Sequence, residues 1–418
     1  MYKLFLAVFT LLVCSLGALS QAKIVAIKAG TVVDPATGTS AKNQIILIEG
    51  RDIKAIGADV KIPDGATIID LSTKTVLPGM MDAHTHLCMN MQHKRDANSY
   101  YITTLRDSDA ARAIQGMVNA KSMLEAGFTA VRDVGNEGNY ACSEVRNAID
   151  QGQIPGPHII NAGRIIAPYG GQFQLQPDKQ GLAEPEYFFA DTRDEMKKAI
   201  RQNIHYGARV IKIVVDDQRY IYSVEDIKFM IAETHAVGLK FAAHCWTRQG
   251  ARNAAEAGVD SIEHAVQIDD ETLDIAKKNN VAIVPIPFTE IDATLGGEPG
   301  SNKWASDNWF IDPVKRAYKK GVTMVWGPDI IFTTRDNTRG SLSIGTVDNW
   351  VEAGIPAATI LQTLTTNAAK LLGIEKTRGA LKPGMRADII AVNDNPLEKI
   401  TTLKNVVFVM RGGIIYKK

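Results

Sequence analysis

Between Ile24 and Val76 the apolar positions fall in short runs: Ile24-Val25-Ala26-Ile27-Lys28, then Gln44 to Gly50, then Arg51 to Gly57. Glycines and a Pro63-Asp64-Gly65 turn punctuate them, which predicts the short strands of one half of a small β-sandwich. A matching half is expected at the far end, in Asp388-Ile389-Ile390-Ala391-Val392 and in Val406 to Gly413. The two chain ends therefore build one domain together, from residues 23–77 and 379–418.

Between them, over residues 78–378, β-rich runs alternate with amphipathic helical stretches such as Ala110 to Leu124, Thr192 to Tyr206, Val224 to Val237 and Pro356 to Leu372. That alternation argues for parallel strands joined by crossover helices. Eight strands are expected, ending near His86, Asp133, Gly163, Val215, His244, His264, Pro287 and Asp329. This is the count for an α/β protein of the (β/α)8 TIM-barrel type, whose catalytic groups sit at the C-terminal ends of the strands.

That rule gathers the chemistry. His84 and His86 are two residues apart and share a face of an extended strand, so their imidazoles can hold one divalent ion. Alone, such a pair is equally compatible with two packed or surface histidines. Lys212, His244, His264 and Asp329 also lie on or just past strand ends, and six polar groups at one barrel mouth are hard to assign to core packing. Lys212 sits among β-branched residues, where burial lowers the pKa of its amine and makes it nucleophilic; an ion pair with Asp216 or Asp217 is the other reading. His93, His158, His205 and His235 fall outside the pattern.

Composition narrows the picture. Of 418 residues, 45% are hydrophobic and 22% charged, with a net charge of +1, so nothing favours a nucleic-acid partner. Residues 1–22 differ: Lys3, an apolar core from Leu4 to Val13 and small residues up to Ala22 predict a cleaved signal peptide, with cut points after Ser20 or Ala22, and hence an exported protein, periplasmic or secreted, without a stable membrane anchor. Val13 is too bulky for Cys14 to be a lipoprotein cysteine. Cys88, Cys142 and Cys245 remain, an odd number that gives no complete disulfide framework and is read as small buried hydrophobes.

The chain resembles the amidohydrolase superfamily, in its imidazolonepropionase-like branch that includes dipeptidases. The resemblance rests on Pro78 to His86, Val131 to Gly135, Ala208 to Lys212, Ile262 to Ala265 and Gly379 to Ile389. It implies the barrel with its β-sandwich and two divalent ions, usually zinc. It also implies that Lys212, carboxylated on its amine as N6-carboxylysine, bridges the ions. His84, His86 and Asp329 would then hold one ion, and His244 and His264 the other. A hydroxide shared by two cations is available near neutral pH and attacks a carbonyl carbon, while Asp329 passes the proton to the leaving nitrogen.

Three departures bear on the substrate. Tyr169-Gly170-Gly171-Gln172 replaces a Gly-Gly-His pattern, Trp246 stands where dipeptidases tend to have Tyr, and Gly327-Pro328-Asp329 replaces Gly-Thr-Asp. Tyr169, Gln172, Arg219, Tyr220, Tyr222, Trp246 and Phe288 are candidate pocket residues. The expected activity is cleavage of an amide bond in a small-molecule substrate, a dipeptide or N-acyl amino acid, with homo-oligomerisation left open. A lactonase, cyclic-amide hydrolase or deaminase would use the same metal centre, and a non-catalytic periplasmic binding protein is the reading from outside enzymology.

Overall fold

The computed structural model describes residues 24–97, 99–173, 175–287 and 310–418, apart from the side chains of His93 and Tyr100. The expected signal peptide and Phe288 lie outside the described residues. Strands β1 (Ile24–Asp34), β2 (Thr39–Glu49), β3 (Asp52–Gly57) and β4 (Thr67–Pro78) lead into β5 (Met80–Thr85). Then come β6 (Phe128–Asp133), β7 (His158–Asn161), β8 (Ile165–Ala167), β9 (Tyr187–Phe189), β10 (Val210–Val214), β11 (Lys240–Cys245), β12 (Ser261–His264) and β13 (Ala282–Pro285). β14 (Ile389–Val392), β15 (Phe408–Arg411) and β16 (Ile414–Lys417) finish the chain.

Both chain ends contribute strands to one seven-stranded sheet of order β16-β15-β14-β4-β1-β2-β3. The seam is the antiparallel pairing of β14 with the end of β4, where Ile390 faces Leu77. Alternation explains how this sheet is fastened to the rest. Val76, Ile389, Ala391, Phe408 and Met410 pack on its own core with Ile27 and Ile46, whereas Leu77, Ile390, Val392 and Val409 point the other way into the core shared with the helices. These central strands are apolar on both faces, which is why they read as unbroken hydrophobic runs.

The remaining strands form a parallel ring in which β5, β6 and β7 pair in order, as do β10, β11, β12 and β13. Arg209 N donates to Asn161 O, joining β7 to β10. The ring closes through residues 323–326, where Ile283 N donates to Thr323 O, Val325 N to Ile283 O and Ala83 N to Trp326 O. The eighth predicted strand is thus present as a bridging segment. It pairs on both sides but too briefly to form a regular ladder, because Gly327-Pro328 ends it. The third predicted strand continues past a turn at Ala162 to Arg164 as β8, which pairs with β10 at Ile166 and carries the unforeseen β9 on its other edge.

The predicted helices fall close to their observed positions. Asp109–Glu125 is capped by Ser108, Arg193–His205 by a reciprocal Thr192 and Glu195 box, and Val224–His235 by Ser223, each cap satisfying a backbone donor of the first turn. Pro356 to Leu372 is a correction: the stretch is two helices, Ala357–Leu364 and Thr366–Leu371. Thr365 between them has φ −135° and bonds its hydroxyl back to Leu361 O, the local competition by which threonine interrupts helices. Cys88, Cys142 and Cys245 are buried free thiols, as the odd count implied. Among the described residues no helix is long and apolar enough to cross a membrane.

Candidate metal centre at the mouth of the barrel

Parallel register places the polar groups. Val214 of β10 pairs with His244 of β11, and Cys245 pairs with His264 of β12, so the two histidines finish neighbouring strands one step apart. Their ring centroids lie 4.4 Å from each other, and those of His84 and His264 lie 4.8 Å apart. His84 and His86 arrive from β5, and Asp329 from the turn after the closing segment. His84, His86, Lys212, His244, His264 and Asp329 line one cavity of about 330 Å³ with Gln172, Asp217 and Trp246.

Asp329 is the hub of this cluster. Its Oδ1 lies 3.3 Å from His86 Nε2 and 3.7 Å from His84 Nε2, and its Oδ2 lies 3.8 Å from His264 Nδ1. His84 Nε2, His264 Nδ1 and Asp329 Oδ1 are buried and lack a hydrogen-bond partner among the described residues, while His244 Nε2 has the Asp217 carboxylate beside it. An unsatisfied buried polar atom costs about 1–3 kcal/mol, and three converging on one cavity are what a cation would satisfy. The donor set fits a divalent ion of the zinc type: the ligand atoms of His84, His86 and Asp329 all lie within 4.8 Å of one another. A second grouping of the same tightness contains His244, Asp216 and Asp217.

Electrostatics follow from burial among like and unlike charges. Burial lowers the His84 imidazole to about 4 and carries His264 well below its usual value, so both are neutral donors. Burial also brings the Lys212 ammonium down to about 8, against the pull of Glu263 and Asp329. For Asp329, burial pushes upward, but His84, His86 and Lys212 outweigh it and hold the carboxyl at about 2.

Three residues of the site hold an unusual backbone. His264, Asp329 and Asp217 have φ of 68°, 56° and 102°, in the left-handed region that non-glycine residues occupy at a cost. Gly327 permits the closest approach. A Cβ there would stand 2.8 Å from His84 Cβ and 2.4 Å from Val284 Cγ1. Gly327→Ala is therefore expected to displace His84 and weaken metal retention at least about tenfold, measured as metal per chain after dialysis at fixed free metal. Gly345→Ala, where an added Cβ meets nothing within 4 Å, is the control that keeps its metal.

Several positioning residues escaped the sequence reading. Glu263 Oε2 bonds His84 Nδ1 at 2.8 Å and its Oε1 accepts from Arg132 at 2.7 Å. His86 Nδ1 lies 2.7 Å from Gly135 O, so both rings of the His-x-His pair are held through Nδ1 and present Nε2 to the cavity. Asp82, raised to about 7 by burial, accepts His84 N at 3.0 Å and the Ser343 hydroxyl at 2.7 Å. Asp216 bonds Trp246 N and Thr247 N at 2.8 and 2.7 Å, fixing the loop after β11. Asp217 Oδ2 comes 2.9 Å from His244 Nε2. Glu263 and Arg132 sit inside conspicuous motifs, and a charge on a buried strand is the signal that could have found them.

The pocket expectations divide. Gln172 and Trp246 line the cavity. Gln172 receives the Tyr187 hydroxyl at 2.6 Å and donates to Asp217 at 2.7 Å, so the amide links an aromatic shelf to the histidine cluster. The other four described candidates are not among the lining residues. Tyr169 and Tyr220 are 61% and 75% exposed outside the lining, Arg219 is likewise exposed, and Tyr222 is buried with its hydroxyl on Ala190 O at 2.6 Å, a packing role. Loop residues follow the strand but turn to solvent, which adjacency in sequence does not reveal.

Comparison with known proteins agrees with this geometry. Residues 75–415 match the model of the amidohydrolase family. The ochratoxinase of Aspergillus niger is 28% identical over 95% of this chain and 87% of its own length. The imidazolonepropionase of Clostridium tetani is 23% identical over 90% of this chain and 91% of its own. The crystal structure of a Xaa-Pro dipeptidase with bound methionine superposes with a TM-score of 0.83 at 28% identity, covering 95% of this chain and all of that one.

Proposed function

Because the chain belongs to the amidohydrolase family and is a hydrolase of carbon–nitrogen bonds, we propose that it cleaves the amide bond of a dipeptide or N-acyl amino acid with two divalent ions in place. The observation that carries this reading is the convergence of three unsatisfied buried ligand atoms, with His244 beside them, on a cavity large enough for a small amide. Ochratoxinase and Xaa-Pro dipeptidase, by their names, act on amide-linked small molecules, and both resemble this chain over most of its length.

His84, His86 and Asp329 would hold the first ion and His244 and His264 the second, with Lys212 between them as its carboxylated form. Bound there, divalent ions supply an activated water near neutral pH and a Lewis acid for the carbonyl. The chain's own groups do the rest. Glu263 and Gly135 O keep the His84 and His86 rings in the tautomer whose Nε2 faces the cavity. Asp329, ionised at neutral pH, accepts the proton of the attacking water and returns it to the leaving nitrogen. The lowered amine of Lys212 offers its lone pair to carbon dioxide, losing a proton as the carbamate forms. Trp246 and Gln172 face the substrate, giving an aromatic wall and an amide in place of two ionisable or hydroxylic groups. Residues 1–22 would deliver the enzyme outside the cytoplasm.

Elemental analysis of the purified chain, paired with a panel of dipeptides, N-acyl amino acids, cyclic amides and lactones before and after chelation, tests the reading. About two metal ions per chain and chelator-sensitive release of a free amine from the first two classes are expected. Turnover confined to lactones, or full cleavage in metal-free protein, would sink it.

A further inference from the structure

At the other end of the barrel from the histidines, a cavity of about 460 Å³ lies between the loop at Ile149–Gly152, the start of β7 and the strands of the chain ends. Arg51, Arg378, Arg386 and Arg411 line it, with Asp150 and His158. Most of the charge there is paired. Arg378 Nε bonds Asp388 Oδ2 at 2.8 Å, Arg386 Nη1 bonds Asp52 Oδ1 at 2.7 Å, and Arg209 holds Asp150 at 3.1 Å. The remaining Asp388 oxygen accepts Gly412 N at 2.7 Å.

Two guanidinium groups are left over. Among the described residues, Arg411, half-buried, donates only to the neutral Gly156 O, at 2.7 Å, and Arg51 has no carboxylate within ion-pair distance. Burial chiefly, with Arg378, Arg209 and Arg411 beside it and Asp150 opposing, lowers His158 to about 3, so the imidazole adds no charge but offers a ring nitrogen. Unpaired guanidinium forks around a polar cavity match a multiply charged oxyanion better than a point cation or an apolar group.

We propose that this cavity binds a small dianionic oxyanion of the phosphate class, clasped between Arg51 and Arg411 beneath the barrel. Inorganic phosphate and the phosphoryl group of a small phosphomonoester share this chemistry, and the volume beyond the charged heads leaves space for an organic substituent. The site sits where the loop before β7 meets the chain-end sheet, so an occupant ties the barrel floor to strands β15 and β16. It uses none of the groups assigned to hydrolysis and stands whether or not the amide reading does.

Calorimetric titration of the metal-loaded full chain with inorganic phosphate and, separately, glycerol phosphate tests the site at one fixed ionic strength. Saturable binding is expected for at least one of them, weakened about tenfold in Arg51→Ala, whose exposed side chain can be removed without touching the core. Arg411→Lys keeps a donor for Gly156 O but loses the fork, and is expected to weaken binding similarly, while Asp150→Asn tightens it. The tighter of the two ligands tells free phosphate from phosphomonoester. Absence of saturable binding overturns the proposal. So does binding of equal strength in wild type, Arg51→Ala and Arg411→Lys, which is the result if the anion sits only on the metal ions.

Discussion

Asp329→Asn should lower kcat for the cleaved amide by about 10²–10⁴-fold with KM nearly unchanged, the range lost when a positioned acid–base group is removed. The substitution is chosen because it isolates charge. Asparagine has the size of aspartate and tolerates the left-handed backbone, so the φ of 56° at this position adds no new strain. What it removes is the carboxylate that His84, His86 and Lys212 hold ionised at about pH 2 and above, against the opposing effect of burial. An amide in that place accepts no proton at neutral pH. Steady-state kinetics with metal content measured on the same sample decides the matter. Turnover near that of the wild type, with metal retained, would remove Asp329 from the proton path; a loss that tracks missing metal would make it a ligand alone.

Glu263→Ala should be the most damaging substitution for the fold around the site. Glu263 is fully buried and lies between His84 Nδ1 at 2.8 Å and Arg132 Nη2 at 2.7 Å. Arg132 is itself buried and also bonds Ala83 O at 2.6 Å and Ser261 Oγ at 3.0 Å. Removing the carboxylate strands the guanidinium charge in the interior, at a cost of about 3–5 kcal/mol. It also frees the His84 ring to rotate. A lower thermal midpoint by circular dichroism is expected, together with metal affinity reduced about 10–100-fold. Glu263→Gln, which keeps an acceptor for Arg132 and a polar partner for His84, should fall between. Unchanged stability and metal content in Glu263→Ala would show that the network positions nothing.

Much of the architecture was legible because it rests on periodicity. Runs of alternating and continuous apolar residues marked the strands, and their spacing by amphipathic helices marked a parallel ring. What periodicity misses is a segment held by its neighbours. Residues 323–326 carry a β-like run yet form only isolated pairings, and β8 and β9 are three residues each, stabilised by the sheet they join and not by their own composition. The helix over Pro356 to Leu372 broke at Thr365 because a side-chain hydroxyl competed with the ladder, an effect local in space but invisible to a pattern of apolar positions.

The site divides along the same line. By itself the sequence determined which strands carry the histidines and Lys212, and that Asp329 follows the last of the expected strands, since strand position follows from local pattern and parallel strands of a barrel all run toward one face; that Lys212 sits mid-strand in β10 is a finding of the structure. Only the tertiary structure decided which atoms meet: that Asp329 faces three imidazoles, that Glu263 and Gly135 O set the rings, that Asp217 joins His244, and that Gln172 and Trp246 line the cavity. These are contacts between residues tens to hundreds of positions apart. They depend on register, on side-chain direction and on the closeness that Gly327 allows, which are properties of the packed ring and not of any one stretch of chain.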